Sequence, residues 1–137
     1  MSSQRLALVP SAKKNRALAA MAGALKLHSV RVIQENKKDV EGARAKGLPD
    51  SLVARLILDK VKIGKIADSL SAIARLPDPV GRVISTVRRP NGLLIKKVRV
   101  PIGVILVIYE SRPNVTADCL ALCLKSGNAV ILKGGSE

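Results

Sequence analysis

The amino-acid sequence predicts an α/β protein in three parts: N-terminal helices, a β-hairpin, and one strand–helix–strand unit. Three observations support this fold class. Apolar residues recur at helical spacing as far as Asp78, and they alternate with the period of a strand beyond Pro79. After the hairpin, two continuous apolar runs flank a helical stretch. We therefore divide the chain into segments 1–78, 79–101 and 102–137.

The N-terminal segment predicts four helices. The first spans about residues 12–27, where apolar side chains recur at i, i+3, i+4 and i+7. The second is more charged and ends by Gly47, a residue that suits the position just after a helix. The third covers about residues 51–58 and starts at Asp50 or Ser51, either of which can cap it.

The fourth helix has the clearest pattern, because one face stays apolar for three turns. Its apolar positions are Ile63, Ile66, Ala67, Leu70, Ile73 and Ala74. Pro77 and Pro79 follow, and proline both lacks a backbone N–H and disfavours helix in the residue before it. We expect this helix to stop before Pro77.

The middle segment predicts a hairpin. Residues 83–87 and 97–100 alternate between apolar and polar side chains, as half-buried strands do. Asn91 and Gly92 lie between these arms and both tolerate positive φ, which favours a tight turn. Charged side chains on one face indicate a sheet that is open to solvent on that side or that contacts another subunit.

The last segment predicts one βαβ unit. Residues 103–109 and 128–133 are strands of the kind that is buried on both faces, and they flank a helix over about 116–125. The polar loop 110–114 leads into that helix. Strands joined by such a crossover are parallel. Because they need neighbours that the sequence does not provide, we expect an incomplete domain at Glu137.

Charge and composition limit the function classes. The chain carries 24 Lys+Arg and 10 Asp+Glu, a net charge of +14 that suits either a polyanionic partner or acidic residues elsewhere in a longer chain or oligomer. Tyr109 is the only aromatic residue, so base stacking is absent and we expect no nucleic-acid partner.

No apolar run is long enough for a signal peptide or a membrane helix. Two cysteines fit a reducing compartment, and we expect a cytoplasmic protein.

Several sequence blocks together resemble one enzyme family. The blocks YESRPNVT and LCLKSGNAVILKGG lie within residues 100–137, which closely resemble gamma-glutamyl phosphate reductase, also called glutamate-5-semialdehyde dehydrogenase. Matching blocks occur upstream in the family's order: Lys14-Asn15-Arg16, Asn36–Asp39, Ala43–Ala45 with Gly47-Leu48, and Asp78–Gly81. The resemblance runs from about Ser11 to the end of the chain, and the first helix is shorter than is usual in the family.

The resemblance implies a fold and a reaction. The family is part of the aldehyde dehydrogenase superfamily, so segment 102–137 is expected to begin a Rossmann-like NADP-binding domain and segment 79–101 to be an oligomerisation arm. The implied reaction reduces L-glutamyl 5-phosphate with NADPH to L-glutamate 5-semialdehyde and phosphate in proline biosynthesis. A cysteine thiolate displaces phosphate, and hydride reduces the thioester. The implied partners are a second copy of the chain through the hairpin and glutamate 5-kinase.

The family's nucleophilic cysteine lies downstream of Glu137. We therefore expect these 137 residues to be inactive by themselves. An alternative stays open, in which the chain is a non-catalytic folded fragment that binds a partner through its basic surface or an exposed strand edge.

Four residues are candidate site residues by the resemblance. Asn114 aligns with the asparagine of the superfamily's oxyanion hole, whereas its position alone favours a helix cap or a turn after Pro113. Lys133 aligns with the lysine that hydrogen-bonds the adenosine ribose; without the alignment it is a solvated strand-end lysine. Ser136 and Glu137 lie where the superfamily contacts the ribose or its 2′-phosphate. An extra glycine leaves two alignments open, which differ by one residue.

Other reactive residues have ordinary structural interpretations. Cys119 and Cys123 lie four apart on one helix among leucines and are expected to be structural thiols. His28 is the only histidine, so we expect no metal site, and we place it on the surface. Glu110 and Arg112 flank the loop as an ion pair or a substrate clamp, and the sequence does not decide between these.

Overall fold

The computed structural model describes residues 2–110 and 112–135 of the chain, and these contain six helices and four strands. The helices are α1 (Ser2–Ala7), α2 (Ser11–Leu27), α3 (Ser29–Ala45), α4 (Asp50–Leu56), α5 (Lys60–Arg75) and α6 (Pro113–Lys125). The strands are β1 (Val83–Arg88), β2 (Leu94–Val98), β3 (Val104–Ile108) and β4 (Ala129–Lys133). The predicted fold class is confirmed: helices come first, then an antiparallel hairpin, then a parallel βαβ unit.

The main core lies between α2, α5 and α6. It contains Leu18, Ala22, Ala67, Leu70, Ile73 and Ala121. The apolar face predicted for α5 is the face that is buried, apart from Ala74, which is partly buried. Asp59 caps α5, since its side chain accepts a hydrogen bond from the Lys62 N–H at 2.6 Å. A second, smaller core joins α3 to α4 through Val40, Ala43, Val53 and Leu56.

The helix ends agree with the sequence in some places and differ in others. Gly47 follows α3 with a φ of 72°, as predicted for a residue that ends a helix. The predicted cap of α4 is wrong, because Pro49 occupies the N-cap position and no side chain caps the helix. Helix α1 carried no periodic signal and was not predicted; it has only six residues, none of them buried.

The hairpin turn differs from the predicted one. β1 and β2 are antiparallel, with Arg88 opposite Leu94. The Arg89 N–H donates to the Leu93 carbonyl at 2.8 Å, which leaves a loop of three residues, Pro90 to Gly92. Gly92 has a φ of 84°, whereas Asn91 has no positive φ. This is the geometry of a turn closed by a left-handed glycine, so only one of the two predicted positions takes positive φ.

Both faces of the hairpin are exposed and both carry charge. Every residue of β1 and β2 is exposed. Lys97 lies opposite Ser85 and Lys96 opposite Thr86, so the two lysines project from opposite faces. The expectation of a single charged face is therefore wrong, because adjacent residues of a strand cannot share a face.

The βαβ unit has one covered and one open face. β3 and β4 are parallel, from Val104 opposite Ala129 to Ile108 opposite Lys133, and α6 packs against β4. The open face exposes Val104, Leu106, Ile108 and Ile131. β3 and β4 are thus not buried on both faces, because the described sheet has only these two strands and α6 covers one side of it.

A buried cluster of charged groups ties the segments together. Lys14, which is 1% exposed, forms an ion pair with Asp78 at 2.5 Å and donates to the Lys125 carbonyl at 3.1 Å. The Lys125 ammonium donates to Asn15 Oδ1 at 2.5 Å and to the Ala74 carbonyl at 2.9 Å. Asp78 directly precedes the hairpin segment and accepts from the Val80 N–H, so this cluster connects α2, α5 and α6 to the base of the hairpin.

The cluster shifts the pKa of two of its members. Burial raises the pKa of Asp78, but hydrogen bonds from Lys14 and Val80 and the Lys14 charge outweigh burial and hold it below its usual range. Burial lowers the pKa of Lys125, an effect that Asp78 opposes and the neighbouring Lys14 charge reinforces. The folded structure therefore favours the ionised form of the Asp78 carboxylate.

Candidate active-site cleft

A cleft of about 470 Å³ lies where α4, α5 and the start of α6 meet. We call it the cationic cleft, because its lining includes the basic side chains of Arg55, Lys62, Lys65 and Arg112. Its other polar lining groups are Ser69, Asn114 and Asp118. The lining carries one carboxylate and four cationic groups, of which Arg55 pairs with Glu110 from outside the lining, so the cleft favours an anionic ligand.

Asn114 lies in the first turn of α6. Pro113 starts the helix with a fixed φ, and Arg112 is the N-cap residue. Asn114 is therefore neither the cap nor part of the preceding turn, and its exposed side chain borders the cationic cleft. Its amide Nδ2 donates to Asp118 Oδ2 at 3.4 Å. The structure leaves the capping role without support, while the oxyanion role stays a prediction.

Asp118 was not identified from the sequence. It lies one turn after Asn114 on α6 and accepts a hydrogen bond from the Ser69 hydroxyl of α5 at 2.9 Å. Among the described residues, no cationic side chain forms an ion pair with Asp118. The i, i+4 spacing from Asn114 was the only available signal, and it does not reveal the contact with α5.

Lys133 is at the carboxyl end of β4, where its side chain is exposed. Its carbonyl accepts from the Tyr109 N–H at 3.1 Å, which extends the parallel pairing to the strand end. Gly134 and Gly135 follow and border a second cleft of about 580 Å³, the strand-end cleft. Ser136 and Glu137 lie outside the described residues.

The two clefts are neighbours. Leu58, Arg112 and Pro113 line both of them. Tyr109 and Thr116 line the strand-end cleft and share a hydrogen bond of 2.6 Å between their hydroxyl oxygens. The beginning of α6 thus separates the cationic cleft from the carboxyl edge of the sheet, where ligands of open α/β sheets bind.

The remaining candidate residues lie outside this arrangement or pair differently from expectation. Glu110 forms its ion pair with Arg55 of α4, at 3.6 Å, and not with Arg112. Burial, together with the nearby Cys119, raises the pKa of the buried Cys123 thiol; Cys119 is half-buried. His28 is exposed where α2 meets α3.

Residues 2–110 and 112–135 contain neither a metal-binding cluster nor a membrane-spanning helix. No group of three or more His, Cys, Asp or Glu side chains there is arranged to hold a metal ion. No helix in the same part of the chain is long and apolar enough to cross a membrane.

A helical segment, an antiparallel hairpin and a parallel strand pair joined by a helix define an α/β protein. Solved structures of the same shape identify its relatives. The crystal structure of gamma-glutamyl phosphate reductase from Thermotoga maritima superposes with a TM-score of 0.92 at 42% identity, covering 98% of this chain and 33% of that one. The enzyme from Saccharomyces cerevisiae gives a TM-score of 0.93 at 39% identity, covering 98% of this chain and 34% of that one.

Curated sequences agree with the structures. Gamma-glutamyl phosphate reductase of Rhodospirillum rubrum is 59% identical over 132 residues, 96% of this chain and 31% of that protein. The enzyme of Clostridium novyi is 54% identical over 134 residues, 98% of this chain and 32% of that protein. No protein-family model matches the chain. The chain thus matches an N-terminal part of gamma-glutamyl phosphate reductase and spans about a third of the length of these relatives.

Proposed function

We propose that the chain forms the N-terminal part of an NADPH-dependent reductase that converts L-glutamyl 5-phosphate to L-glutamate 5-semialdehyde and phosphate in proline biosynthesis. The observation that carries this proposal is the 59% identity to a gamma-glutamyl phosphate reductase over 96% of the chain. The position of Asn114 beside the cationic cleft is consistent with it, because the reaction needs a hydrogen-bond donor close to an anionic substrate.

Asn114 supplies that donor. Attack on an acyl phosphate places negative charge on the carbonyl oxygen, and a neutral N–H aimed at this oxygen stabilises the transition state. The amide has two N–H groups, and Asp118 accepts from one side of it. The start of α6 adds the positive end of a helix dipole at the same place.

The residues at the end of β4 fit a dinucleotide. Lys133 is exposed at the carboxyl edge, and Gly134 has no side chain to obstruct the approach of a ligand to the backbone. Lys133, with Ser136 and Glu137 by the resemblance, would hold the adenosine ribose. The nicotinamide cofactor, when bound, supplies the hydride.

The decisive experiment replaces Asn114 by Ala in a full-length reductase that carries this sequence. We expect kcat to fall about 100-fold, the usual loss for one oxyanion donor, with little change in NADPH binding. Asn91→Ala in the hairpin turn is the matched control and should retain turnover. Normal turnover of the Asn114→Ala variant would reject the oxyanion role.

The 137 residues by themselves should not oxidise NADPH when freshly prepared L-glutamyl 5-phosphate is added. Cys123 is buried and its pKa is raised, so it is a poor thiolate, and neither cysteine lines the cationic cleft. Turnover above a blank that Cys119→Ser or Cys123→Ser abolishes would contradict this expectation.

The hairpin supports association with a second copy of the chain. Its strands are exposed on both faces and carry large apolar side chains, including Ile84, Val87, Leu94 and Ile95. The same exposed strands favour the second candidate, a fragment that binds a partner through a strand edge. Contact with glutamate 5-kinase stays a prediction of the resemblance.

A further inference from the structure

The single carboxylate of the cationic cleft, Asp118, can accept more hydrogen bonds than the one it receives from the proposed oxyanion donor Asn114. Asp118 lines the cleft and is half-buried, and its two described hydrogen-bond donors, Ser69 and Asn114, are neutral. A carboxylate has room for about four hydrogen bonds. Part of its acceptor capacity therefore remains for a ligand.

The charges around Asp118 restrict what that ligand is. Four basic side chains line the same cleft, so the ligand is anionic overall. A purely anionic ligand would be repelled by the carboxylate, whereas one that also bears an ammonium group pairs with it. An α-amino acid with an acyl phosphate on its side chain has this combination of one positive and two negative groups.

We propose that Asp118 binds the α-ammonium group of the substrate and makes the cleft specific for a free α-amino acid. This inference rests on the proposed function. Ser69 is a positioning residue, because its hydroxyl holds the Asp118 carboxylate from the neighbouring helix at 2.9 Å. The basic side chains face the carboxylate and phosphate ends of the same molecule.

The spacing along α6 agrees with this assignment. The Asn114 Nδ2 and Asp118 Oδ2 atoms are 3.4 Å apart, and a hydrogen bond of about 2.9 Å from each reaches ligand atoms about 5 Å apart. The reacting carbonyl carbon of a glutamyl group is separated from its α-nitrogen by four bonds, or about 5 Å when extended. One substrate molecule therefore reaches from the Asn114 amide to the Asp118 carboxylate.

The test compares two acyl phosphates in a full-length reductase that carries this sequence. L-Glutamyl 5-phosphate has the free ammonium group, and N-acetyl-L-glutamyl 5-phosphate lacks its charge. We expect kcat/KM, followed by NADPH oxidation, to be at least about 10-fold higher for the first in the unmodified enzyme. Equal use of both substrates would overturn the proposal without any variant.

Asp118→Asn should remove most of that preference, mainly by raising KM for L-glutamyl 5-phosphate. Ser69→Ala should reduce it by a smaller factor. Asp68→Asn is the matched control, since Asp68 lies on α5 beside Ser69 but forms an exposed pair with Lys26. This control should keep the full preference.

Two other outcomes separate the proposals. An Asp118→Asn enzyme whose kcat falls equally for both substrates, with the preference kept, would mean that Asp118 only orients Asn114 or ties α5 to α6; this overturns the inference and leaves the proposed function intact. A full-length enzyme that reduces neither acyl phosphate would overturn both.

Discussion

The three-helix core and the hairpin use similar apolar residues with opposite results. Leu70 of α5 is 2% exposed, while Leu94 of β2 is 53% exposed. The difference is the presence of partners: α5 packs against α2 and α6, whereas within residues 2–110 and 112–135 the two strands of the hairpin pair only with each other. Apolar content thus does not locate the core of this protein, and the exposed apolar side chains of the hairpin are the surface that the proposed association with a second copy would cover.

Two ion pairs show the same contrast between a buried and an exposed environment. Lys14 and Asp78 pair at 2.5 Å in the interior, whereas Lys26 and Asp68 pair at 2.9 Å on the surface. Water solvates the second pair whether or not it forms, but the Lys14 ammonium depends on its protein partners. The buried pair should therefore control the stability of the junction between the helices and the hairpin.

The largest effect is expected from Asp78→Asn, which leaves Lys14 buried beside Lys125 without a counter-charge. The free energy of unfolding at pH 7 should fall by about 3 kcal/mol or more, measured by urea unfolding. Asp68→Asn should cost at most about 1 kcal/mol, because its pair is exposed. Similar losses in the two variants would contradict the distinction between buried and surface pairs.

The Asp78 effect should depend on pH. The pKa of this carboxyl is lowered in the folded protein, so its stabilisation is complete above the ordinary value of about 3.9 and is lost as the pH falls through the folded value. The stability difference between the original chain and Asp78→Asn should accordingly be largest near pH 7 and shrink below about pH 4. A difference that stayed constant down to pH 2 would show that the charge of Asp78 is not its source.

A somewhat smaller effect is expected from Leu70→Ala. The substitution leaves a cavity between α2 and α5 and should lower the free energy of unfolding by about 3 kcal/mol. Leu94→Ala on the hairpin is the matched control and should change it by less than about 0.5 kcal/mol. A large loss from Leu94→Ala would mean that the hairpin packs on a surface within the same chain.

The smallest effect on folding, but a clear effect on assembly, is expected from Ile95→Lys. Ile95 lies opposite Val87 on an exposed face of the hairpin. The substitution should leave the unfolding free energy nearly unchanged and shift a full-length reductase to smaller species in analytical ultracentrifugation. Val30→Lys changes an exposed apolar residue of α3 and should keep the original assembly. An unchanged assembly in the Ile95→Lys protein would reject the hairpin as the interface.

Local pattern was sufficient for the regular elements. The apolar stripe of α5, the glycine after α3 and the alternation of β1 are properties of a few neighbouring residues, and each was predicted with its type. The second arm was predicted over residues 97–100, whereas β2 spans Leu94–Val98. The resemblance to gamma-glutamyl phosphate reductase also rests on contiguous blocks of sequence. The six-residue α1 was missed because so short a helix has too few positions to establish a period. The cap of α4 was wrong because Asp50 and Ser51 lie inside the helix and Pro49 takes the N-cap position.

The sequence by itself determined which segments are helix, hairpin and βαβ unit, because each type has its own period. Only the tertiary structure decided which polar groups meet: Lys14 with Asp78 and Glu110 with Arg55 as ion pairs, and Ser69 with Asp118 as a hydrogen bond. These partners are far apart along the chain and have no fixed spacing, so no periodicity encodes them. Their pairing follows from the packing of the helices, and this packing also forms the cleft that holds Asn114 and Asp118.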